Sequence, residues 1–185
     1  METTQQPPRK VPGISARFVL VLIVLASSIG CDRATKLVAE DTLRGAGRIS
    51  MLNDVFRFEF TRNQGAFLGM GAKLPEPVRN GIFIGGVSLL LLGLLAFALS
   101  RPHARAQLTA LALIAGGGLG NLWDRIAGGA VTDFMNLGIG PVRTGIFNVA
   151  DLAIVAGIAL MVITQPRKSS LVEAGPPAGP GGPAA

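Results

Sequence analysis

Across 185 residues there is one cysteine, one histidine, no tyrosine and only 15% charged side chains. The single cysteine, Cys31, excludes an internal disulfide framework and any multi-cysteine zinc centre. The single histidine, His103, excludes a histidine-rich metal site and makes histidine-based catalysis a poor expectation. Soluble domains carry about 25% charge, so this chain lacks the polar side chains needed to coat a compact globule of its size. What it has instead is 49% hydrophobic residues and a mean hydropathy of +0.50. A net charge of +6 raises nucleic acid as a partner. The basic residues are scattered through flanks and loops, with no aromatic-interleaved basic stripe, so nucleic acid is set aside. The composition is that of a membrane protein.

A bilayer-spanning helix needs about 20 mostly apolar residues. Four stretches approach or meet that length: Phe18 to about Val38, Asn80 to Ser100, about Ala106 to Trp123, and about Gly145 to Thr164. Glycines interrupt several of them, which membrane helices tolerate because close helix packing uses small residues. Arg9, Lys10 and Arg17 precede the first stretch, Arg101 and Arg105 join the second to the third, and Arg167 and Lys168 follow the fourth. All three places fall on one side, which the lysine and arginine bias of short loops makes cytoplasmic.

The expected architecture is an all-α polytopic membrane protein with four transmembrane helices and a small β-containing extracytoplasmic cap. Residues 17–165 form the membrane domain, with the cap at about 39–79. Residues 1–16 are expected to be a flexible cytoplasmic N-terminus and 166–185 a disordered cytoplasmic tail, its end composed of Gly, Pro and Ala. The cap expectation rests on Phe56, Phe58 and Phe60, which alternate with Arg57, Glu59 and Thr61 after an Asn53-Asp54 turn signal. That is the period of a half-buried strand.

Ionisable groups inside membrane spans are costly and by default mark function. In the alternating topology, Asp32 and Lys36 lie at the outer end of the first span. Asn121, Asp124 and Arg125 lie at the outer end of the third, Asn148 and Asp151 at the outer beginning of the fourth, and Asp133 in the connection between them. The polar groups therefore gather at one membrane face. Asp32 and Lys36 are i, i+4 and pair along one helix face. The glycines from Gly116 to Gly120 let another backbone approach the third helix.

The chemistry available there is narrow. His103 sits in the opposite loop, so no Ser-His-Asp set forms, and Ser27 and Ser28 lie about two turns from Lys36 along the helix. Asp133 and Asp151 remain as the natural pair. Two carboxyls brought close in a low-dielectric site do not both ionise. One then activates water while the other protonates a carbonyl oxygen, as in aspartic proteases.

Several runs carry a resemblance: Asp32 with Lys36, Asn63-Gln64-Gly65-Ala66-Phe67, Gly120-Asn121-Leu122-Trp123-Asp124-Arg125, Val131-Thr132-Asp133-Phe134, and Phe147-Asn148-Val149-Ala150-Asp151. From about Arg17 to Thr164, in the correct order, they resemble the signal peptidase II family, the four-span membrane aspartic proteases that process bacterial lipoproteins. The resemblance implies that Asp133 and Asp151 are the catalytic dyad. It implies that Asn63, Gly65 and Arg125 help hold the substrate, with Asp32, Lys36, Asn121, Asp124 and Asn148 supporting the site. Where the family commonly shows Asn-x-Gly-Ala-Ala-Phe, Phe67 comes one residue earlier here, so no role is carried over to it.

The implied reaction is cleavage of a prolipoprotein just before its diacylglyceryl-modified cysteine, in the bacterial inner membrane. The expected partners are such prolipoproteins and membrane lipids, with no cofactor and no metal, and the expected state is a monomer. The alternative from another class is a four-span proton or ion transporter using the same carboxylates. Its weakness is that nothing polar leads through the inner halves of the spans. Cys31 follows Ser28-Ile29-Gly30 in a mimic of a lipoprotein cleavage site, and is expected instead to be a small apolar core residue.

Overall fold

The fold is described from a computed structural model covering residues 13–65, 70–71 and 73–165. Helix α1 spans Ile14–Leu43. Strands β1 (Ile49–Met51) and β2 (Phe56–Asn63) follow as a hairpin. Its turn runs through Leu52, Asn53 and Asp54, all with positive φ, a conformation that asparagine and aspartate tolerate better than most residues. Helix α2 spans Glu76–Ser100 and contains a π-helical turn at Gly81–Gly86. Helix α3 (Arg105–Gly128) ends where Gly129 takes the left-handed conformation, φ 71°, and its N–H returns to the Arg125 carbonyl. This cap reverses the chain directly into β3 (Val131–Ile139), followed by β4 (Val142–Arg143) and helix α4 (Val149–Thr164).

Among the described residues, two helices, α1 and α2, are long and apolar enough to cross a membrane, and α4 is apolar but shorter. The helices run in alternating directions. Val21 near the start of α1, Ala98 near the end of α2, and Leu108, Leu111 and Ala112 near the start of α3 form one buried cluster. Met161, near the end of α4, packs against it. Arg17 is buried at this end, where it donates to the carbonyls of Ala98 (3.0 Å), Leu99 (2.8 Å) and Arg101. Those last carbonyls of α2 have no partner within their own helix. Gly117 brings α3 against α4, because a Cβ there would overlap the Ala150 carbonyl and the Ile154 side chain. Large apolar side chains such as Leu22, Leu89, Leu90, Val155 and Ile163 point outward and are exposed.

The four strands form one antiparallel sheet in the order β1-β2-β3-β4. A bulge in β2 falls between Phe58, paired with Met135, and Thr61, paired with Asp133. Leu43 and Ala39 of α1 pack with Phe134, Met135 and the three phenylalanines of β2 to seat the sheet on the end of the bundle.

The structure corrects several expectations. The cap is not confined to 39–79: its longest strand, β3, comes from the connection after α3. Asp133 therefore lies in a strand and not in a loop. The fourth helix starts at Val149 because Asn148, in extended conformation, caps it, so Asp151 lies in its first turn. Helix α1 begins at Ile14, inside the stretch expected to be flexible. Cys31 is exposed on α1 and is not a core residue. The rest of both expected flexible ends, residues 1–12 and 166–185, and Phe67 lie outside the described residues.

Candidate active site

Four elements, β2, β3, α3 and α4, deliver the acidic pair and its holders. Asn148 is the N-cap of α4: its Oδ1 accepts from the Asp151 N–H at 3.0 Å, and the Asp151 carboxylate accepts from the Asn148 N–H at 3.1 Å. This reciprocal capping box fixes both side chains relative to the helix end. The other atoms of Asn148 are also committed. Its Nδ2 donates to Asp133 Oδ1 at 2.6 Å and to Asn121 Oδ1 at 3.1 Å. One buried asparagine thus touches both aspartates.

Each carboxylate has a second amide donor. Asn63, at the end of β2, donates from Nδ2 to Asp133 Oδ2 at 3.0 Å. Asn121, on α3, donates from Nδ2 to Asp151 Oδ1 at 2.8 Å. Asn121 cannot turn over without loss, because its Oδ1 accepts from Lys36 Nζ at 3.0 Å as well as from Asn148.

Lys36 sits behind this layer, fully enclosed. Its ammonium lies 2.7 Å from Asp32 Oδ2 and 2.9 Å from Asp124 Oδ2. Its three N–H donors thus face two carboxylates and one amide oxygen. Asp32 Oδ1 in turn accepts from the Ala150 N–H of α4 at 2.9 Å. Asp124 Oδ2 accepts from the Thr132 N–H at 3.1 Å, one residue before Asp133. These buried charges tie α1, α3, α4 and β3 together.

Arg125 lies beside the dyad. It donates from Nη2 to the Gly65 carbonyl at 2.6 Å and from Nη1 to the Asn121 carbonyl at 3.1 Å. Gly65 in turn donates its N–H to Asn63 Oδ1 at 3.0 Å. Gly65 therefore contributes its backbone, and links the two substrate-holding candidates.

Burial pushes the Asp133 carboxyl up to about 6, and the nearby Asp151 charge pushes the same way. Hydrogen bonds from Asn63 and Asn148 and the charge of Lys36 oppose that rise. The charges balance in groups. Lys36 and Arg33 offset Asp32 and Asp124, leaving Arg125 opposite Asp133 and Asp151.

Both carboxylates line a pocket of about 540 Å³ together with Asn63, Asn121 and Arg125. Its lining also includes Leu137, Ile146 and Phe147, and Leu152, Ile154 and Val155 of α4. The arrangement offers a paired acid and base, a guanidinium, and an apolar trough. Among the described residues, no three His, Cys, Asp or Glu side chains group as metal ligands.

The structure brings together Asp32, Lys36, Asn63, Gly65, Asn121, Asp124, Arg125, Asp133, Asn148 and Asp151. It also adds two. Arg33 donates to Asp124 Oδ1 at 2.6 Å. Arg62 donates to Thr132 Oγ1 at 3.1 Å and to the Gly128 carbonyl at 2.8 Å, pinning the start of β3 to the end of α3. Arg33 stands one residue after Asp32 and could have been suspected as a second cation. Arg62 had no local signal, because its partners are about 70 residues away.

A family model described as signal peptidase (SPase) II matches residues 23–166. The chain is 34% identical over 144 residues to a lipoprotein signal peptidase of Sulfurihydrogenibium sp. (strain YO3AOP1), covering 77% of this chain and 84% of that protein. It is 36% identical over 159 residues to a lipoprotein signal peptidase of Chlorobium luteolum, covering 80% and 90%. Among solved structures, a bacterial membrane enzyme determined by the in meso method at 2.3 Å resolution aligns with a TM-score of 0.67 and 24% identity, covering 85% of this chain and 91% of that one. A second bacterial membrane enzyme, at 1.9 Å, aligns with a TM-score of 0.66 and 23% identity, covering 85% and 96%. These two establish the shared fold.

Proposed function

The chain belongs to the signal peptidase II family of lipoprotein-processing peptidases, and from that premise we propose that it is a membrane-embedded aspartic endopeptidase. It cleaves prolipoproteins just before the diacylglyceryl-modified cysteine, with Asp133 and Asp151 as catalytic residues. The observation that carries this reading is the pair of carboxylates, each held by two hydrogen bonds, facing one pocket that is otherwise largely apolar.

In the proposed reaction a water between the two carboxyls attacks the scissile carbonyl carbon. One carboxylate takes the water proton while the protonated partner donates to the carbonyl oxygen. Asp133, pushed up to about 6, suits the proton-holding role. Collapse of the resulting diol, with a proton passed to the amide nitrogen, breaks the C–N bond and releases signal peptide and lipoprotein. Arg125 and Asn63 hold the substrate backbone. Arg125 is fitted to that work because a guanidinium keeps its charge and presents a planar fork of donors. The apolar trough against α4 receives the lipid-linked part of the substrate.

We read the four helices α1 to α4 as four spans, with both termini and the α2–α3 connection cytoplasmic. Alternating helix directions and outward-facing apolar side chains on the bundle support this. Helix α4 rises about 24 Å, less than the roughly 30 Å hydrocarbon thickness. Its capped end, and with it the dyad, would lie just inside the outer boundary. The transporter alternative is disfavoured because the opposite end of the bundle packs as an apolar cluster, where the buried Arg17 is spent on the last carbonyls of α2.

The test is cleavage by protein reconstituted in lipid vesicles. With a diacylglyceryl-modified prolipoprotein, mass spectrometry should find the new N-terminus at the modified cysteine, and the unmodified precursor should be cut far more slowly. Cleavage elsewhere, or indifference to the lipid, overturns the substrate assignment.

A further inference from the structure

Arg125 is held incompletely by hydrogen bonds. Its Nη1 and Nη2 reach the Asn121 and Gly65 carbonyls, but its Nε is buried with no hydrogen-bond partner. A buried donor left unmade is costly, so something else must compensate the guanidinium. What lies against it is the Phe83 ring, with the guanidinium carbon 5.3 Å from the ring centroid. An aromatic face carries negative charge density and attracts a cation at that range, more so when water is excluded.

Phe83 sits in an irregular part of α2. Phe83 lies inside the π-helical turn of α2, Gly81–Gly86. A turn closed by i to i+5 bonds redirects its side chains relative to an α-helix, and such turns cluster at functional sites. Gly81 and Gly85 have open space where a Cβ would stand, so packing does not demand them. Gly71 also lies close to the ring, where a Cβ would come 3.0 Å from a ring carbon. The ring therefore stands close to both the guanidinium and Gly71, in the connection that follows β2.

We infer that Phe83 is a positioning residue, whose ring face orients Arg125 so that its donor fork addresses the backbone beside the dyad. This rests on the proposed peptidase reaction. Phe83 touches no reacting atom and acts through Arg125.

The test replaces the ring by degrees in the full-length, vesicle-reconstituted protein. Phe83→Leu keeps apolar bulk and removes the face, and should lower kcat/KM by about threefold to thirtyfold, mainly through KM. Phe83→Tyr and Phe83→Trp should retain activity. Mono-, di- and trifluorinated phenylalanine at position 83 should lower kcat/KM stepwise, as fluorine withdraws charge from the face at nearly constant shape. A flat response across that series overturns the inference, since a merely structural ring would tolerate it. A second measurement stands apart from catalysis: a thermal-unfolding double-mutant cycle of Phe83→Leu with Arg125→Met. Non-additive shifts support the contact, and additive shifts overturn it. If wild-type protein cleaves no prolipoprotein, the proposed function fails and the cycle still decides the Phe83–Arg125 contact.

Discussion

At the end of the bundle where α1 and α3 begin, Val21, Ala98, Leu108, Leu111 and Ala112 pack as an apolar cluster, and the buried charge of Arg17 caps the carbonyls of α2. At the opposite end, Asp32, Lys36, Asp124, Asp133 and Asn148 are all buried within one hydrogen-bonded group. The first end is an ordinary means of holding helices together. The second is an expensive one, because buried ion pairs at best roughly recover what their desolvation costs. A cheaper apolar plug was available at the same place. The charged end is therefore better explained by what it does than by what it stabilises.

Substitutions at the two ends should separate these roles. The largest effect falls on the dyad. Asp133→Asn or Asp151→Asn keeps side-chain size and should lower cleavage by about a thousandfold or more, since acid and base each contribute roughly 10²–10⁴. Lys36→Met comes next, leaving Asp32 and Asp124 with too few cations. It should cost about 3–5 kcal/mol of stability and also free Asn121 to turn, read as a lowered unfolding temperature together with lost turnover. Leu108→Ala, at the apolar end, should cost about 2–5 kcal/mol by leaving a cavity. Below its unfolding temperature its kcat should match wild type. A drop in kcat comparable to that of Lys36→Met would erase the division between the ends.

A subtler effect distinguishes the dyad from a purely structural pair. Activity that needs a protonated Asp133 is full below its folded value and is lost as pH rises through about 6 in the free enzyme. Asn63→Ala removes a hydrogen bond that favours ionised Asp133, so the descending limb of kcat/KM should move to higher pH. An unmoved limb, or movement to lower pH, would assign the titration to another group. The smallest effect belongs to the surface pair of Arg48, just before β1, and Glu59 of β2, 2.8 Å apart. Arg48→Ala should change stability by about 0–1 kcal/mol and leave cleavage unchanged.

Much of the site was legible because its signals are local or carried by short runs. Asp32 and Lys36 are one helical turn apart and do pair. Asn148 and Asp151 stand at the spacing of a capping box and form one. The glycines of α3 foretold the close approach of α4. What was not legible depends on partners far away in the chain. Val131–Ile139 carries Thr132, Asp133 and Asn136, which read as a polar connection, and becomes a strand because β2 is there to pair with it. Arg62 and Phe83 show nothing unusual until Thr132 and Arg125 are brought to them. In the sequence Cys31 closes an uncharged, mostly apolar run of α1. A helix that is apolar all round carries no periodic mark of which face turns outward.

The central claim is that the buried acidic pair performs chemistry on a substrate that other residues hold. It is tested most directly by measuring binding and cleavage of one diacylglyceryl-modified prolipoprotein on the same vesicle-reconstituted samples of wild type, Asp133→Asn and Asp151→Asn. The expected result is that both variants bind the substrate with near wild-type affinity and leave it uncut. Cleavage at near wild-type rate by either variant would contradict the account.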